Sequence, residues 1–182
     1  MRCMTTFARD GSPKLRKLGH HRLGNALDFG QPSMGNAMYN LRPATPDDYD
    51  FLYDLLVATM KEYVDALWGW EDAYQQQRFR NKFIPQQYQI ITVDQRDVGA
   101  MAVERDDAQW FLAEIQILPA HQNDGIGTLV IEDLVRQARQ QDLPTALQVL
   151  KINPARRLYE RLGFYQSGET ETHIQMLCPA EG

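Results

Sequence analysis

Residues 115–128 read Ile-Gln-Ile-Leu-Pro-Ala-His-Gln-Asn-Asp-Gly-Ile-Gly-Thr, and this stretch decides the fold. An apolar run ends at Pro119, a polar loop follows, and Gly125 and Gly127 open an amphipathic helical pattern. Glycines let the backbone turn so that successive N–H groups face one point. A helix N-terminus adds unpaired donors and a partial positive charge. The stretch therefore predicts a site for an anion such as a pyrophosphate, held without Lys or Arg.

Two other phosphate-binding loops do not fit this stretch. The mononucleotide P-loop needs a Lys directly after its last glycine, whereas Thr128 and Leu129 follow Gly127. The dinucleotide fingerprint needs a third small residue where Val130 stands, and it needs a parallel βαβ unit. Taken alone, the loop leaves open the alternative that its glycines only begin a helix.

The elements around the loop predict one mixed sheet with helices on both faces. Thr45, Pro46 and Asp48 form a capping-box pattern before a helical apolar repeat, and Gly69 interrupts that repeat. Three strand-like runs separated by short polar turns precede the loop and predict an antiparallel meander. The predicted strands are 38–42, 88–94, 98–105, 109–117, 145–150, 164–167 and 171–177, and the later helices are 70–82, 125–141 and 154–162.

Two motifs in this order carry a family resemblance. The spacing Gln122-x-x-Gly125-x-Gly127 resembles the acyl-CoA pyrophosphate signature of the GNAT superfamily of N-acetyltransferases. Residues 153–164, Asn-Pro-Ala-Arg-Arg-Leu-Tyr-Glu-Arg-Leu-Gly-Phe, look like the family's second segment. The resemblance covers about residues 38–178 and implies an α/β (α+β) fold. It implies a mostly antiparallel sheet of about seven strands, with about four helices packed on both faces.

The resemblance also implies a cofactor and its site. Acetyl-CoA would be the co-substrate, and the sheet would splay apart after the strand that ends at Ile117. A backbone N–H near Ile117 would then stabilise the developing oxyanion. Asn123-Asp124 departs from the family pattern, since many relatives carry Arg or Gly there, and Asp124 places an anion beside the expected pyrophosphate. The expected cofactor-binding residues are Ile117, Gln122, Asn123, Asp124, Gly125, Ile126, Gly127, Thr128, Asn153 and Tyr159.

Acetyl transfer to an amine also requires proton transfer. Glu114 is the one acid in an apolar strand, and a buried carboxylate is costly unless it is paired or functional, so Glu114 is the candidate base. Tyr159 matches the family tyrosine beside the cofactor sulfur and is the candidate acid. The alternatives are a salt-bridged or solvated Glu114, a packing role for Tyr159, and a helix-capping role for Asn153.

The acceptor site is less well defined by the sequence. Aromatic and acidic residues cluster around Gly69, and Trp68 and Trp70 are the candidate substrate-binding residues for an amine-bearing acceptor. The alternative is that these aromatics belong to the core. His173 lies in the last strand and is expected to be structural, with an acceptor-facing role as the alternative. Cys178 comes too late in the chain to serve as a nucleophile, so we expect direct transfer in a ternary complex.

Composition and charge set limits on the remaining classes of function. The 182 residues are 43% hydrophobic and 24% charged, and neither a membrane-length apolar run nor a His/Cys metal spacing occurs. Residues 1–37 carry +4 and the rest −9. We therefore expect no metal, no nucleic-acid partner and no membrane partner, with acetyl-CoA and an amine as partners.

The domain organisation follows from the same counts. We expect a disordered basic extension over 1–37 and an acyl-CoA N-acyltransferase domain over 38–182. A transit peptide, a basic arm for an anionic partner and an upstream over-extension before Met38 are the alternatives for the extension. We expect a cytoplasmic N-acetyltransferase, with a homodimer left open. A catalytically inactive acyl-CoA-binding regulatory module is the alternative function.

Overall fold

A computed structural model describes residues 38–181, so the expectations for residues 1–37 lie outside the described part of the chain. One seven-stranded sheet runs through it, in the order β1-β2-β3-β4-β5-β7-β6. The strands are β1 (Asn40–Pro43), β2 (Tyr88–Val93), β3 (Arg96–Arg105), β4 (Trp110–Ile117), β5 (Thr145–Leu150), β6 (Tyr165–Glu169) and β7 (His173–Cys178). The helices are α1 (Tyr49–Trp68), α2 (Asp72–Lys82), α3 (Ile126–Arg139) and α4 (Arg156–Arg161).

The sheet is antiparallel except where β4 meets β5. That parallel ladder spans only Trp110 to Leu112 on β4 and Thr145 to Leu147 on β5. Beyond Leu112 the two strands have no register, although β4 continues to Ile117 and β5 to Leu150. The centre of the sheet therefore opens into a gap, and this confirms the mixed, mostly antiparallel fold.

Each face of the sheet has its own apolar cluster. The larger cluster packs α3 against the sheet and includes Trp110, Leu112, Ile115 and Ile117 of β4. Two smaller clusters pack α1 against the other face, through Ile90 and Ala100 at one end and Leu150 at the other. A helix thus covers each side of the gap.

A β-bulge in β4 changes which side chains face which helix. Ala102 of β3 pairs with Glu114 while Val103 pairs with Leu112, which leaves Ala113 as the extra residue. Without the bulge, strict alternation would put Leu112 and Glu114 on the same face. The bulge keeps Ile115 and Ile117 in the α3 cluster and turns Glu114 toward α1.

The start of α1 is held to the sheet by an ion-pair network. The Asp48 carboxylate accepts the Thr45 backbone N–H at 2.7 Å and the Thr45 hydroxyl at 3.0 Å, as the capping-box pattern predicts. Arg42 of β1 donates to Asp48 at 2.7 Å and to Asp97 of β3 at 2.6 Å. These bonds, with Arg42 as the largest cause, lower the pKa of Asp48 to about 2.

We predict that Asp48→Asn removes an acid-sensitive part of the free energy of unfolding. The folded pKa of Asp48, about 2, lies below the ordinary value of 3.8. The stabilisation is therefore complete at pH values above 3.8. It is lost as the pH falls through the folded pKa. Urea denaturation should show a variant about 1–2 kcal/mol less stable at pH 7, with the gap to wild type shrinking below about pH 4. Asp47→Asn is the matched control, and an equal loss in both variants would contradict the assignment.

Candidate active site

The loop before α3 leaves several backbone amides without an intrahelical acceptor. Gly125 caps the helix with φ of +82°, and Asn123 has φ of +71°, so the chain turns twice through left-handed backbone. The first helical hydrogen bond runs from the Leu129 N–H to the Gly125 carbonyl, at 3.1 Å. The amides of Ile126, Gly127 and Thr128 precede it and have no intrahelical acceptor. This is the arrangement that the glycine spacing predicts.

Gln122 ties this loop to the end of β4. Its Nε2 donates to the Ile117 carbonyl oxygen at 2.8 Å. The signature glutamine therefore has an observed structural contact in addition to its predicted cofactor role. It holds the amide-rich turn at a fixed distance from the strand that borders the gap.

A cavity of about 680 Å³ opens beside the loop. Seven of the predicted cofactor-binding residues line it, and Asp124, Asn153 and Tyr159 do not. Tyr63 of α1 and Arg157 and Arg161 of α4 also line the cavity, and the sequence did not predict them as cofactor-binding residues. The seven predicted residues are Ile117, Gln122, Asn123, Gly125, Ile126, Gly127 and Thr128.

The backbone of Ile117 faces the gap. Leu118 donates its N–H to the Val98 carbonyl at 2.8 Å, next to the register pair Gly99–Ile117. In an antiparallel ladder, residues bonded to the partner strand alternate with residues whose N–H and C=O point away. Ile117 is one of the latter, so its N–H and C=O point toward β5, where the ladder has already ended at Leu147.

Glu114 is buried and has a partner on a neighbouring strand. Its side chain is 8% exposed, and Tyr88 of β2 forms a side-chain hydrogen bond with it. Tyr88 and Glu114 both oppose Ala102 of β3, whose small side chain leaves room for the phenol to cross it. The charge on Glu114 and burial raise the pKa of Tyr88, so the phenol keeps its proton and donates to the carboxylate.

Two further buried polar groups lie on the α1 face, on opposite sides of the gap. Gln116 opposes Ala100 of the α1 cluster, and His173 opposes Leu150, so both side chains share the face that α1 covers. They are 1% and 3% exposed, and in the described structure neither Nε2 has a hydrogen-bond partner. Burial lowers the pKa of His173, which favours a neutral ring. Polar atoms buried in this way favour a ligand that can bond to them.

Tyr159 and Asn153 are both buried near the start of α4. Tyr159 is 0% exposed, and its ring packs edge-on against Phe164 with centroids 5.8 Å apart. Asn153 Oδ1 accepts the Ala155 N–H at 2.9 Å, which is an Asx-turn bond just before α4. The observed contacts are thus structural, while the predicted cofactor and acid roles of these two residues stay predictions.

Two groups of aromatic residues lie on the α1 face, whereas the sequence predicted one group, around Gly69. Trp68 and Trp70 pack against the cluster of α1 with Leu150, and Trp70 Nε1 donates to Asp72 at 2.7 Å. A second aromatic cluster lies between α1, α2 and β2 and ends at Tyr88, the partner of Glu114. Its members are Tyr49, Tyr53, Phe79, Phe83 and Tyr88, with ring centroids 5.2 to 6.4 Å apart.

Within residues 38–181, no group of three or more His, Cys, Asp or Glu side chains is placed to hold a metal ion. No helix in that range is long and apolar enough to cross a membrane.

Comparison with known proteins agrees with this geometry. Residues 85–166 match the family model described as an acetyltransferase (GNAT) domain. Comparison with curated protein sequences gives no match. The family match over residues 85–166 and the seven-stranded fold both agree with the resemblance to the GNAT superfamily.

Solved structures of the same fold are similar over most of the chain. The PaiA N-acetyltransferase of Thermoplasma acidophilum in complex with coenzyme A has a TM-score of 0.64 at 12% identity, covering 78% of this chain and 98% of that one. A GNAT-family acetyltransferase of Bacillus anthracis has a TM-score of 0.62 at 12% identity, covering 80% and 96%. The ribosomal-protein-S18-alanine N-acetyltransferase of Escherichia coli has a TM-score of 0.58 at 18% identity, also covering 80% and 96%.

We predict that Gly125→Glu abolishes coenzyme A binding while the protein stays folded. A Cβ at Gly125 meets no atom within 4 Å, so the fold bears only the left-handed backbone strain of about 1–2 kcal/mol. The added carboxylate would stand at the amide turn, where juxtaposed like charges cost several kcal/mol. Calorimetric titration should show affinity reduced more than about a hundredfold.

Gly69→Glu is the control for that variant. Gly69 has equally open space, so its substitution adds the same charge outside the loop. Its φ of +80° and ψ of 143° make the backbone strain larger than at Gly125, so thermal melting verifies that both variants are folded. Unchanged affinity in Gly125→Glu, or an equal loss in both variants, would contradict the site.

Proposed function

We propose that this protein is an N-acetyltransferase that moves the acetyl group of acetyl-CoA to a primary amine of a small molecule or peptide. Transfer is direct, in a ternary complex. One observation carries the proposal: the gap beside β4 receives the Ile117 N–H and opens at the same end onto the amide-rich cavity. A thioester reaching from the cavity into the gap would meet a fixed hydrogen-bond donor.

The amides at the start of α3 bind the diphosphate of acetyl-CoA. Amide donors at a helix N-terminus favour an anion without a side-chain charge. The pantetheine arm then lies along the exposed edge of β4, whose unpaired backbone groups suit an amide-bearing chain. The contact between Gln122 and Ile117 fixes the distance between the two sites.

The Ile117 N–H stabilises the oxyanion that forms when the amine attacks the thioester carbonyl. A backbone dipole held by the sheet needs no reorganisation as the charge develops, and one such donor is worth about 10²–10³ in rate. Gly99 lies directly opposite Ile117, and a Cβ there would stand 2.3 Å from the Gln116 carbonyl oxygen. A glycine is therefore required for β3 to hold this end of β4 in place.

Protons move between two side chains and the reactants. Glu114 accepts the proton that converts the acceptor's ammonium group to a nucleophilic amine, and Tyr88 holds the carboxylate in position. As the C–S bond breaks, Tyr159 gives its proton to the sulfur and takes back the proton lost by the new amide nitrogen. One proton is released for each amide formed, which balances the reaction.

The α1 face supplies the acceptor site. The aromatic cluster that ends at Tyr88, together with Trp68 and Trp70, gives an apolar wall for the body of the acceptor. The ionised Glu114 favours a cationic amine. Gln116 and His173 offer buried polar atoms on the two sides of the gap.

The proposal is tested by a free-thiol assay with acetyl-CoA and a panel of amines, amino acids, polyamines and peptides. We expect thiol release that depends on one class of primary amine. Saturable acetyl-CoA binding with no thiol release from any amine would instead support the acyl-CoA-binding regulatory module, and absence of acetyl-CoA binding would overturn both functions.

We predict that Glu114→Gln lowers kcat by about 10²–10⁴, because the isosteric amide cannot accept the ammonium proton. Steady-state kinetics with the best acceptor measures the effect. Glu132→Gln, on the exposed side of α3, is the control and should keep wild-type kcat. A Glu114→Gln variant with wild-type kcat would assign the base elsewhere.

Tyr88→Phe should move the pH dependence rather than abolish the reaction. Losing a donor to the charged carboxylate raises the pKa of Glu114, so the rising limb of kcat/KM should shift to higher pH. Tyr159→Phe, in contrast, should lower kcat by about 10²–10⁴ without such a shift. An unchanged pH profile in Tyr88→Phe would contradict the role of Tyr88 in setting the pKa of the base.

A further inference from the structure

Two arginines of α4 face the cavity from an element separate from the amide loop. Arg157 and Arg161 both line the cavity beside Gly125 and Thr128. They are four residues apart on α4, so they lie on the same side of the helix, one turn from each other. The cavity therefore has an amide wall from the loop and a cationic wall from α4.

Arg157 and Arg161 form no ion pair among the described residues, whereas the adjacent Arg156 does. Arg156 pairs with Glu160 at 2.7 Å on another side of the same helix. Among the ion pairs of residues 38–181, none includes Arg157 or Arg161. Like charges at this spacing repel one another. An anion bound between them relieves that repulsion, which makes the pair suited to a group of high negative charge.

Coenzyme A carries two kinds of phosphate, and the two walls suit them differently. The diphosphate lies in the interior of the coenzyme A chain, and its negative charge is spread over two phosphate groups. Backbone amides suit it because each supplies a partial positive charge. A terminal phosphomonoester has a charge of about −1.5 to −2 at neutral pH and three free oxygens. Guanidinium groups bind such an end group with paired, charge-assisted hydrogen bonds.

We propose that Arg157 and Arg161 bind the 3′-phosphate of coenzyme A and so select the 3′-phosphorylated cofactor over dephospho-coenzyme A. This assignment rests on the proposed function, because it takes the loop as the site of the diphosphate. It gives α4 a role in specificity that the loop signature does not contain.

The test is calorimetric titration of the full-length protein with coenzyme A and with dephospho-coenzyme A, which keeps the diphosphate and lacks the 3′-phosphate. Wild type should bind coenzyme A about ten- to a hundredfold more tightly, because the free energy of a hydrogen bond to a charged group corresponds to an affinity ratio of this size. Arg157→Gln and Arg161→Gln should each reduce that ratio, and the double variant should bring it close to one. The affinity for dephospho-coenzyme A should stay at the wild-type value.

Arg156→Gln is the matched control, because it removes one positive charge from α4 outside the cavity. Its ratio should equal that of wild type. The wild-type preference should also shrink as KCl is raised, since exposed charges are screened. Thermal melting of each variant verifies that the short helix remains folded.

The outcomes separate this proposal from the proposed function. Equal wild-type affinity for the two ligands overturns the 3′-phosphate assignment and leaves the diphosphate site standing. An equal loss for both ligands in the arginine variants also overturns it, because it places the arginines on the diphosphate. If wild type binds neither ligand, the proposed function fails and this assignment fails with it.

Discussion

The hydrogen-bond ladder between β4 and β5 ends at Leu112 and Leu147, and the candidate active site depends on that ending. A parallel ladder that continued to Ile117 would consume the N–H and C=O groups of Ile115 and Ile117. Backbone polar groups inside a protein are almost always bonded. Here Gln122 Nε2 donates to the Ile117 carbonyl, while the Ile117 N–H and the backbone groups of Ile115 face a gap between two helices, so a bound chain or water has to satisfy them. The structure thus forms a binding edge from ordinary backbone by omitting a strand pairing.

Two local features make the edge chemically useful. The bulge at Ala113 keeps apolar residues on the α3 face while it turns Glu114 toward α1. The bond from Gln122 to the Ile117 carbonyl then fixes the start of α3 relative to the strand end. The proposed base, the proposed oxyanion donor and the anion-binding turn therefore belong to one short stretch of chain, residues 114–128. Each is held by a different neighbour: the base by β2, the oxyanion donor by β3, and the turn by a bond from the loop itself.

Much of this arrangement could be predicted from the order of residues. The seven strands and four helices follow from apolar periodicity, caps and turn residues, and the glycine spacing predicted the backbone turn at the start of α3. These signals are local: a helix cap or a left-handed glycine depends on residues a few positions away. Errors are confined to element ends, such as β1, which runs through Pro43 instead of ending before it. An edge strand tolerates the proline because it needs no donor on its outer side.

What the sequence by itself determined was the kind of backbone at each position and the glycine turn that is proposed to bind an anion, because both arise from neighbouring residues. Only the tertiary structure decided what meets across the sheet. Tyr88 reaches Glu114 because the register of three strands places both against Ala102. Arg157 and Arg161 reach the cavity because α4 packs beside the loop, which lies about thirty residues earlier in the chain. Such contacts depend on register and packing between distant segments, and no local pattern encodes them.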